Sequence, residues 1–343
     1  MIIHFLYLFE EGGNPMWPVS RDLGACNSDP SRLVAKINNL TALYNKDNIS
    51  RTAAYFSFFQ LYPEIKWAFL ASMVSRNAGW NMCDLEGATL PKVLSLSYRR
   101  SLFMTYEVAN FLIFRDAFPQ LLLYHYSTKV NRSLFHFLPS FSVSSFMAEE
   151  WGAFLKGRDE ERLVTALIIN EQNVIQKPVI EGVDLQENVF RSSLFAVQDR
   201  LHFSTVIFPT ERGELYGATV AGFRNVSSRI ELGKQLASIL FHSEQFPLFF
   251  QFAKSTEHTG SRWDYEQYYP YRKQRETPYL RSIYPVIRHE LAHRECWDRY
   301  TPIKKKWRKP APLPDCINMT HQYEQKQRNI RLLSAIKNFF VPF

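Results

Sequence analysis

Apolar positions recur along most of this chain at spacings of three and four residues, the period of a helix with one buried face. Leu33, Ile37, Leu40 and Tyr44 form such a stripe after Asp29-Pro30, a capping residue followed by a proline suited to the first helical turn. Ser50 stands where it would cap a second helix running through Leu61. Pro63 opens a third, with Ile65, Phe69 and Met73 as its stripe and its end near Gly79. Pro91 opens a long helix to about Phe114, and another starts at Asp116, tolerating Pro119 in its first turn. Further helices are expected near 144–156, 160–177, 187–201, 227–242 and 245–256, and an amphipathic one over 319–340. The period changes in one place. Phe203–Phe208 and Leu215–Phe223, β-branched and aromatic, flank Pro209–Gly213 and read as a hairpin. The fold class is mainly α: a multi-helical domain with one small β-hairpin near 203–223.

Charge modifies that picture at the C-terminal end. The 343 residues carry 41 Lys and Arg against 33 Asp and Glu, a net +8, yet residues 1–261 hold 24 basic and 25 acidic ones. The excess lies in residues 262–309, with 13 basic and 6 acidic, and in 310–343, with 4 and 2. The chain thus divides into a leader (1–28), a helical body (29–261) and a basic C-terminal region (262–343) with linkers and the terminal helix. The leader is apolar over Ile2–Phe9 but lacks the preceding positive charge of a secretory signal. It is expected either to dock on the body or to be poorly ordered. No run nears the ~18 consecutive apolar residues of a membrane span. The most apolar region, Leu102–Tyr124, is interrupted by Glu107, Asn110, Arg115 and Asp116. Four widely spaced cysteines without a CxxC suit a reduced, cytoplasmic chain better than a disulfide framework.

Polar residues interrupt two otherwise apolar faces. On the 160–177 helix, Leu163, Leu167, Asn170 and Val174 form one line, and Val164, Ile168, Glu171 and Ile175 its neighbour. Arg76 extends the stripe of Ile65, Phe69 and Met73. Buried charge is costly unless paired. Arg76 and Glu171 are therefore expected to lie inward, against each other or with Asn77, Asn81 and Asn173. Such a group is either a cleft in which Glu171 acts as a general acid–base or a satisfied network that fixes packing, the favoured reading. The loop Glu257-His258-Thr259-Gly260-Ser261-Arg262-Trp263-Asp264 offers a turn glycine, hydroxyls and an arginine, a combination that suits an anion. Alternatively, Ser261 or Thr259 caps the next helix, with Asp264, three residues after Ser261, completing a capping-box-like pair.

His289-Glu290-Leu291-Ala292-His293 matches HExxH, which on a helix places two zinc ligands on one face, with Cys296 as a third. Arg288, Arg294 and Glu295 flank it, and the pairs Glu290–Arg294, Arg294–Asp298 and Glu295–Arg299 instead suggest a solvated, salt-bridged helix. No metal and no cofactor is therefore expected, with zinc at His289, His293 and Cys296 as the alternative. GxSxG, GxGxxG and P-loop signatures are absent from the sequence. Residues 262–309 combine their 13 basic groups with 10 Trp and Tyr, densest at Lys304-Lys305-Lys306-Trp307-Arg308-Lys309. Basic groups neutralise phosphates and aromatics stack on bases, so nucleic acid or another polyanion is a sensible partner. An anionic membrane surface is a second choice.

Four blocks carry a family resemblance: NISRTAAYFSFFQLYPEIKWAFLASMVSRNAGWNMCDL at 48–85, ALIINEQNVIQKPV at 166–179, RIELGKQL at 229–236 and EHTGSRWDY at 257–265. Together and in order they resemble the uncharacterised YppC-like proteins of Bacillus-type bacteria, over roughly residues 31–300. The resemblance implies a soluble bacterial protein with a domain of unknown function. It implies no activity and carries over no catalytic residue.

The reading that follows is of a cytoplasmic protein binding an anionic partner through its basic C-terminal segment, with Lys304, Lys305, Lys306 and Arg308 as contacts. The competing reading is a hydrolase-type enzyme. Its catalytic candidates are Glu171, Arg76 and His258, and its ligand contacts come from Asn77, Asn81, Asn170, Asn173, Thr259, Ser261, Arg262 and Asp264.

Overall fold

The computed structural model describes residues 30–182, 205–220, 222–271, 273–290, 296–312 and 317–340. The leader and the helix expected near 187–201 lie outside these. Among the described residues the protein is mainly helical, with one two-stranded antiparallel sheet.

Helix α1 (Pro30–Tyr44) buries Leu33 and Ile37 of the predicted stripe together with Thr41, while Leu40 and Tyr44 are half-buried. Helix α2 (Asn48–Leu61) starts two residues before Ser50. Asp47 is the cap, and its carboxylate accepts the Ser50 N–H at 2.7 Å. The earlier start brings Asn48 into the helix, where it is fully buried. Helix α3 (Lys66–Asp84) is buried on all sides; from Trp67 to Cys83 only Val74 is not buried. It runs past Gly79, the expected stop. That glycine is a packing residue: a Cβ there would collide with Asn48 Oδ1 and come within 2.8 Å of the His258 ring.

The region after Pro91 differs most from expectation. A single turn at Leu90–Val93 ends at once. Ser95 then caps helix α4 (Leu96–Val130), and its side chain accepts the Tyr98 N–H at 3.3 Å. This 35-residue helix continues through Pro119 instead of restarting at Asp116. A mid-helix proline removes one backbone hydrogen bond. Here the surroundings hold the helix in place: Ala117, Phe118, Leu121 and Leu122 are buried on either side, and Gln120 Nε2 donates to the Asp116 carbonyl at 3.1 Å. Asn131, at φ 50°, closes the helix in the left-handed conformation that asparagine tolerates.

Helices α5 (Ser145–Gly157) and α6 (Glu160–Val174) form a hairpin capped by Ser144 and Asp159. One wide turn follows at Gln176–Ile180, so the helix predicted to 177 ends slightly early. Strand β1 (Thr205–Pro209) pairs with β2 (Leu215–Thr219), Thr205 opposite Thr219 and Pro209 opposite Leu215, which is the predicted hairpin. Helices α7 (Val226–Leu240) and α8 (Phe246–Ser255) follow near their expected positions, and α9 (Thr320–Phe340) is the C-terminal helix.

Two apolar clusters form the interior. The larger is rich in aromatics: Phe59 stacks on Phe69 at 4.9 Å, and Phe241, Phe246 and Phe250 close around them. Tyr265, Trp307 and Tyr323 from the C-terminal region belong to the same cluster. A buried ion pair ties α2 to α4. Arg51 Nη1 and Nη2 grip Glu107 at 2.9 and 2.5 Å, and Arg51 Nε donates to Asn45 Oδ1 at 2.6 Å. Arg51 is 1% exposed and Glu107 is 4% exposed, so neither charge has water to fall back on.

Replacing Arg51 by Met leaves that carboxylate buried without its guanidinium. The expected loss is about 3–5 kcal/mol in a urea melt, with partial recovery in the double variant Arg51→Met/Glu107→Leu. A single variant as stable as the parent would show that the pair does not hold the two helices.

Candidate functional site

The structure gives Arg76 and Glu171 different partners. Arg76, buried on α3, donates from Nη1 to the Thr256 carbonyl and from Nη2 to the Ala253 carbonyl, both at 2.9 Å. It thereby ties off the C-terminal end of α8, whose last carbonyls lack helical partners. Burial lowers its pKa to about 10, still high enough to keep the charge at neutral pH. Glu171 instead accepts the Trp67 indole N–H at 3.0 Å and the Gln172 amide at 3.1 Å. Trp67 and Arg76 are nine residues apart on one helix, about 13 Å by helical rise. Desolvation raises the Glu171 carboxyl to about 7, outweighing both hydrogen bonds.

The four asparagines are spent separately. Asn77 acts as an extra strand for β1: its Oδ1 accepts the Ile207 N–H at 3.1 Å and its Nδ2 donates to the Thr205 carbonyl at 3.3 Å. Asn81 donates to Tyr106 Oη at 3.4 Å, and Asn173 donates to the Ile169 carbonyl of its own helix. Asn170 joins a buried chain in which its Nδ2 meets Asp116 Oδ2 at 2.5 Å and its Oδ1 accepts from Ser144 and Trp297. Gln120 binds the same Asp116 oxygen and accepts from the Trp151 indole.

The loop at 257–264 folds inward onto α3. His258 Nε2 faces Asn48 Oδ1 at 2.7 Å and Nδ1 faces Asp264 Oδ2 at 3.2 Å, while Asn48 Nδ2 donates to the Ser75 carbonyl. Burial holds the imidazole below its ordinary pKa, with Asp264 pulling the other way. The expected Ser261–Asp264 capping box does not form. Asp264 reaches back instead to the Thr259 N–H and hydroxyl, and accepts the Trp80 indole N–H at 2.9 Å. The backbone N–H groups of Thr259, Ser261, Arg262 and Trp263 all point at acceptors within the protein. The Ser261 hydroxyl is likewise bound to Thr277. The loop therefore presents no open row of donors to an anion.

Arg262 enters a buried charge cluster that the sequence pattern does not announce. Its Nε lies 2.9 Å from Asp84, and it is also near Glu266 and Glu276, at 3.6 and 3.5 Å. Lys273 pairs with Glu266 at 2.5 Å and Arg331 with Glu276 at 2.8 Å. Gln327 of α9 accepts from Arg262 Nη1 at 2.5 Å. Burial drives Asp84 up to about 6 against the pull of Arg262. Three carboxylates and three cations thus balance one another. Asp84, Glu266, Lys273, Glu276 and Arg331 were missed because they come from three separated stretches, at 84, 266–276 and 331. Acid–base balance within 262–276 is the one hint the sequence offers.

His289 and Glu290 correct the helix expected at HExxH. Both stand in irregular chain; residues 291–295, including His293, lie outside the described residues. His289 stacks on Phe111 at 4.0 Å and its Nε2 meets Glu107 at 3.0 Å, joining the Arg51–Glu107 pair. Cys296 Sγ contacts the Ser142 and Val143 carbonyls at 3.6 and 3.7 Å. Asp298 binds the Ser145 hydroxyl and Phe146 N–H at the start of α5. Among the described residues no group of three or more His, Cys, Asp or Glu side chains is arranged to hold a metal.

The basic run 304–309 is fastened to the body. Lys305–Arg308 form one tight turn in which Trp307 is 1% exposed and donates its indole N–H to Ser227 Oγ at 2.9 Å. Arg308 meets Glu150 at 3.0 Å, and the Lys309 carbonyl accepts from Lys234 at 2.7 Å. Lys304, Lys305 and Lys306 point outward, exposed. The aromatics of the segment mostly do not. Tyr265, Tyr269 and Trp307 are buried; Tyr271, Tyr279 and Tyr300 are exposed, with Arg275 and Lys177 lying 4.3 Å over the rings of Tyr279 and Tyr300.

A mainly helical protein, stitched by buried polar side chains and carrying one basic turn, is the class this geometry defines. Residues 43–331 match a family described as a protein of unknown function (DUF2515), and the chain belongs to that family. It is 45% identical over 308 residues to the uncharacterized protein YppC of Bacillus subtilis (strain 168), covering 90% of this chain and 96% of that one. No solved structure matches it. No helix among the described residues is long and apolar enough to cross a membrane.

Glu171 yields a pH test. Its folded pKa of about 7 lies above the ordinary 4.5. The folded state therefore holds a proton that the unfolded state has released, and this contribution, full below about pH 4.5, is lost as pH rises through 7. Glu171→Gln removes the titration. Between pH 5 and 8 its stability should gain on the parent by up to about 3 kcal/mol in urea melts. Parallel curves would refute the raised pKa.

Proposed function

We propose that this protein is a non-catalytic binder of nucleic acid, gripping the phosphate backbone through Lys304, Lys305, Lys306 and the neighbouring Lys309. The observation that carries this reading is the anchoring of Trp307. With its ring in the aromatic core and its N–H on Ser227, it holds the turn in one place, so the lysines stand as a preorganised basic surface. A flexible basic tail loses entropy when it binds; a fixed turn loses less. Arg308 contributes less charge, because buried Glu150 already pairs with it.

The burial of Trp307 refines the partner. Base stacking needs exposed rings, and Tyr265, Tyr269 and Trp307 are committed to the interior. At the lysine turn, whose one aromatic is the buried Trp307, recognition is therefore by charge, with little discrimination between bases. The enzyme reading has weaker support, since Glu171, Arg76 and His258 each have separate internal partners.

The test is fluorescence anisotropy with labelled oligo-dT and oligo-dA across a salt series. Both should bind alike, and the slope of log K against log salt should shrink by about two units in Lys304→Gln/Lys305→Gln/Lys306→Gln. Binding that ignores salt, or that the triple variant leaves unchanged, overturns the proposal.

A further inference from the structure

A cavity of about 390 Å³ adjoins the lysine turn, and Lys306 forms part of its wall. Most of the remaining wall is polar and uncharged. Thr219, Ser227 and Ser228 bring hydroxyls to it, and Asn225 and Gln235 bring amides. Ser227 joins cavity and turn, because its Oγ accepts the Trp307 indole N–H at 2.9 Å. Hydroxyl and amide side chains of this kind make many of the hydrogen bonds to phosphate and sugar in nucleic-acid complexes. Glu231 is the one carboxylate in the lining, and it lies 3.7 Å from Lys234.

The charge beside this cavity is concentrated. Lys305–Arg308 form a single tight turn, about 8 Å long at roughly 2 Å per residue. Lys304, Lys305 and Lys306 are exposed together, and among the described residues none of them is within ion-pair distance of a carboxylate. A DNA duplex carries one phosphate charge per about 1.7 Å of its axis, twice the density of either of its strands. Each phosphate neutralised on a duplex releases about 0.9 of a counterion, against about 0.7 on a single strand. Three clustered ammoniums therefore gain more from a duplex.

Stacking does not reverse that preference. Proteins that take single strands lay bases on exposed rings. Trp307 is 1% exposed and its indole N–H is spent on Ser227. Tyr300, just before the turn, is exposed, but the Lys177 ammonium lies 4.3 Å over its ring.

We infer that the lysine turn and the adjoining cavity grip the backbone of a nucleic-acid duplex in preference to a single strand. The lysines meet phosphates, and the hydroxyls and amides hydrogen-bond to phosphate and sugar. This deepens the reading of the turn as a nucleic-acid contact and rests on it. Glu231 opposes the grip, since its carboxylate repels the same backbone.

The test is fluorescence anisotropy of the full chain with a labelled DNA duplex and with each of its separated strands, across a salt series. The duplex should bind about tenfold more tightly than either strand. In Lys304→Gln/Lys305→Gln/Lys306→Gln the salt slope should shrink by about 2.7 units on the duplex, against about two on a strand. Gln235→Glu, which adds a negative charge to the cavity, should weaken the duplex about threefold. Glu231→Gln, which removes one, should tighten it by a similar factor. A strand that binds as tightly as the duplex overturns the inference and leaves the proposed function standing. Duplex affinity unmoved by both charge changes does the same. Binding that ignores salt on duplex and strands alike, or no binding to any of them, overturns both.

Discussion

Helix α3 is buried on all sides yet carries polar residues at Ser75, Arg76, Asn77, Trp80, Asn81 and Asp84. An unpartnered polar group in such a place costs several kcal/mol, so each of these side chains must find a partner on whatever packs against it. Ser75 takes Asn48 from α2, and Arg76 takes the end of α8. Asn77 takes the edge of β1, Trp80 takes Asp264, and Asp84 takes Arg262. The arrangement of the molecule around α3 follows from these obligations. Gly79 belongs to the same logic, because only a missing side chain lets His258 and Asn48 meet over the helix.

The same requirement explains why so much charge is quiet. Arg51 is matched by Glu107, Arg262 by Asp84 and its neighbours, and Glu150 by two arginines. Buried pairs of this kind hold segments in register more than they add stability. Lys304–Lys306 stand outward together, on a turn whose tryptophan is locked into the core. The net +8 of the chain is therefore a poor guide to its electrostatics. In the C-terminal region Arg262, Lys273 and Arg331 are tied to Asp84, Glu266 and Glu276, and the exposed charge is densest on the turn at 304–309.

Much of the fold is legible in the sequence. The stripes of α1 and α3, the positions of α7 and α8 and the hairpin at 205–219 are legible locally, because burial of one face is a local pattern. The boundaries were less legible. Nothing local separates Asp47 from Ser50 as the cap of α2; what selects the earlier start is that Asn48 reaches Ser75. Pro119 reads as a helix start by its chemistry, and it lies mid-helix because packing on both sides outweighs one lost hydrogen bond. The HExxH segment reads as helical from its charge spacing, yet His289 is drawn to Glu107 and Asp298 to the start of α5, contacts between residues far apart in the chain.

By itself the sequence determined that the protein is mainly helical, that its polar residues at Arg76, Asn77, Asn81 and Asn170 face inward, and that its positive charge lies near the C-terminal end. These follow from periodicity and composition, which each residue carries wherever the chain goes. Only the tertiary structure decided which inward-facing groups meet. Arg76 and Glu171 share the prediction of burial but not a site, and Asp84, Glu266 and Glu276 come together with Arg262 without any shared motif. Partnership depends on positions and orientations fixed by the whole packed core. That is also why the cavity beside Lys306 appears only once the basic segment has docked.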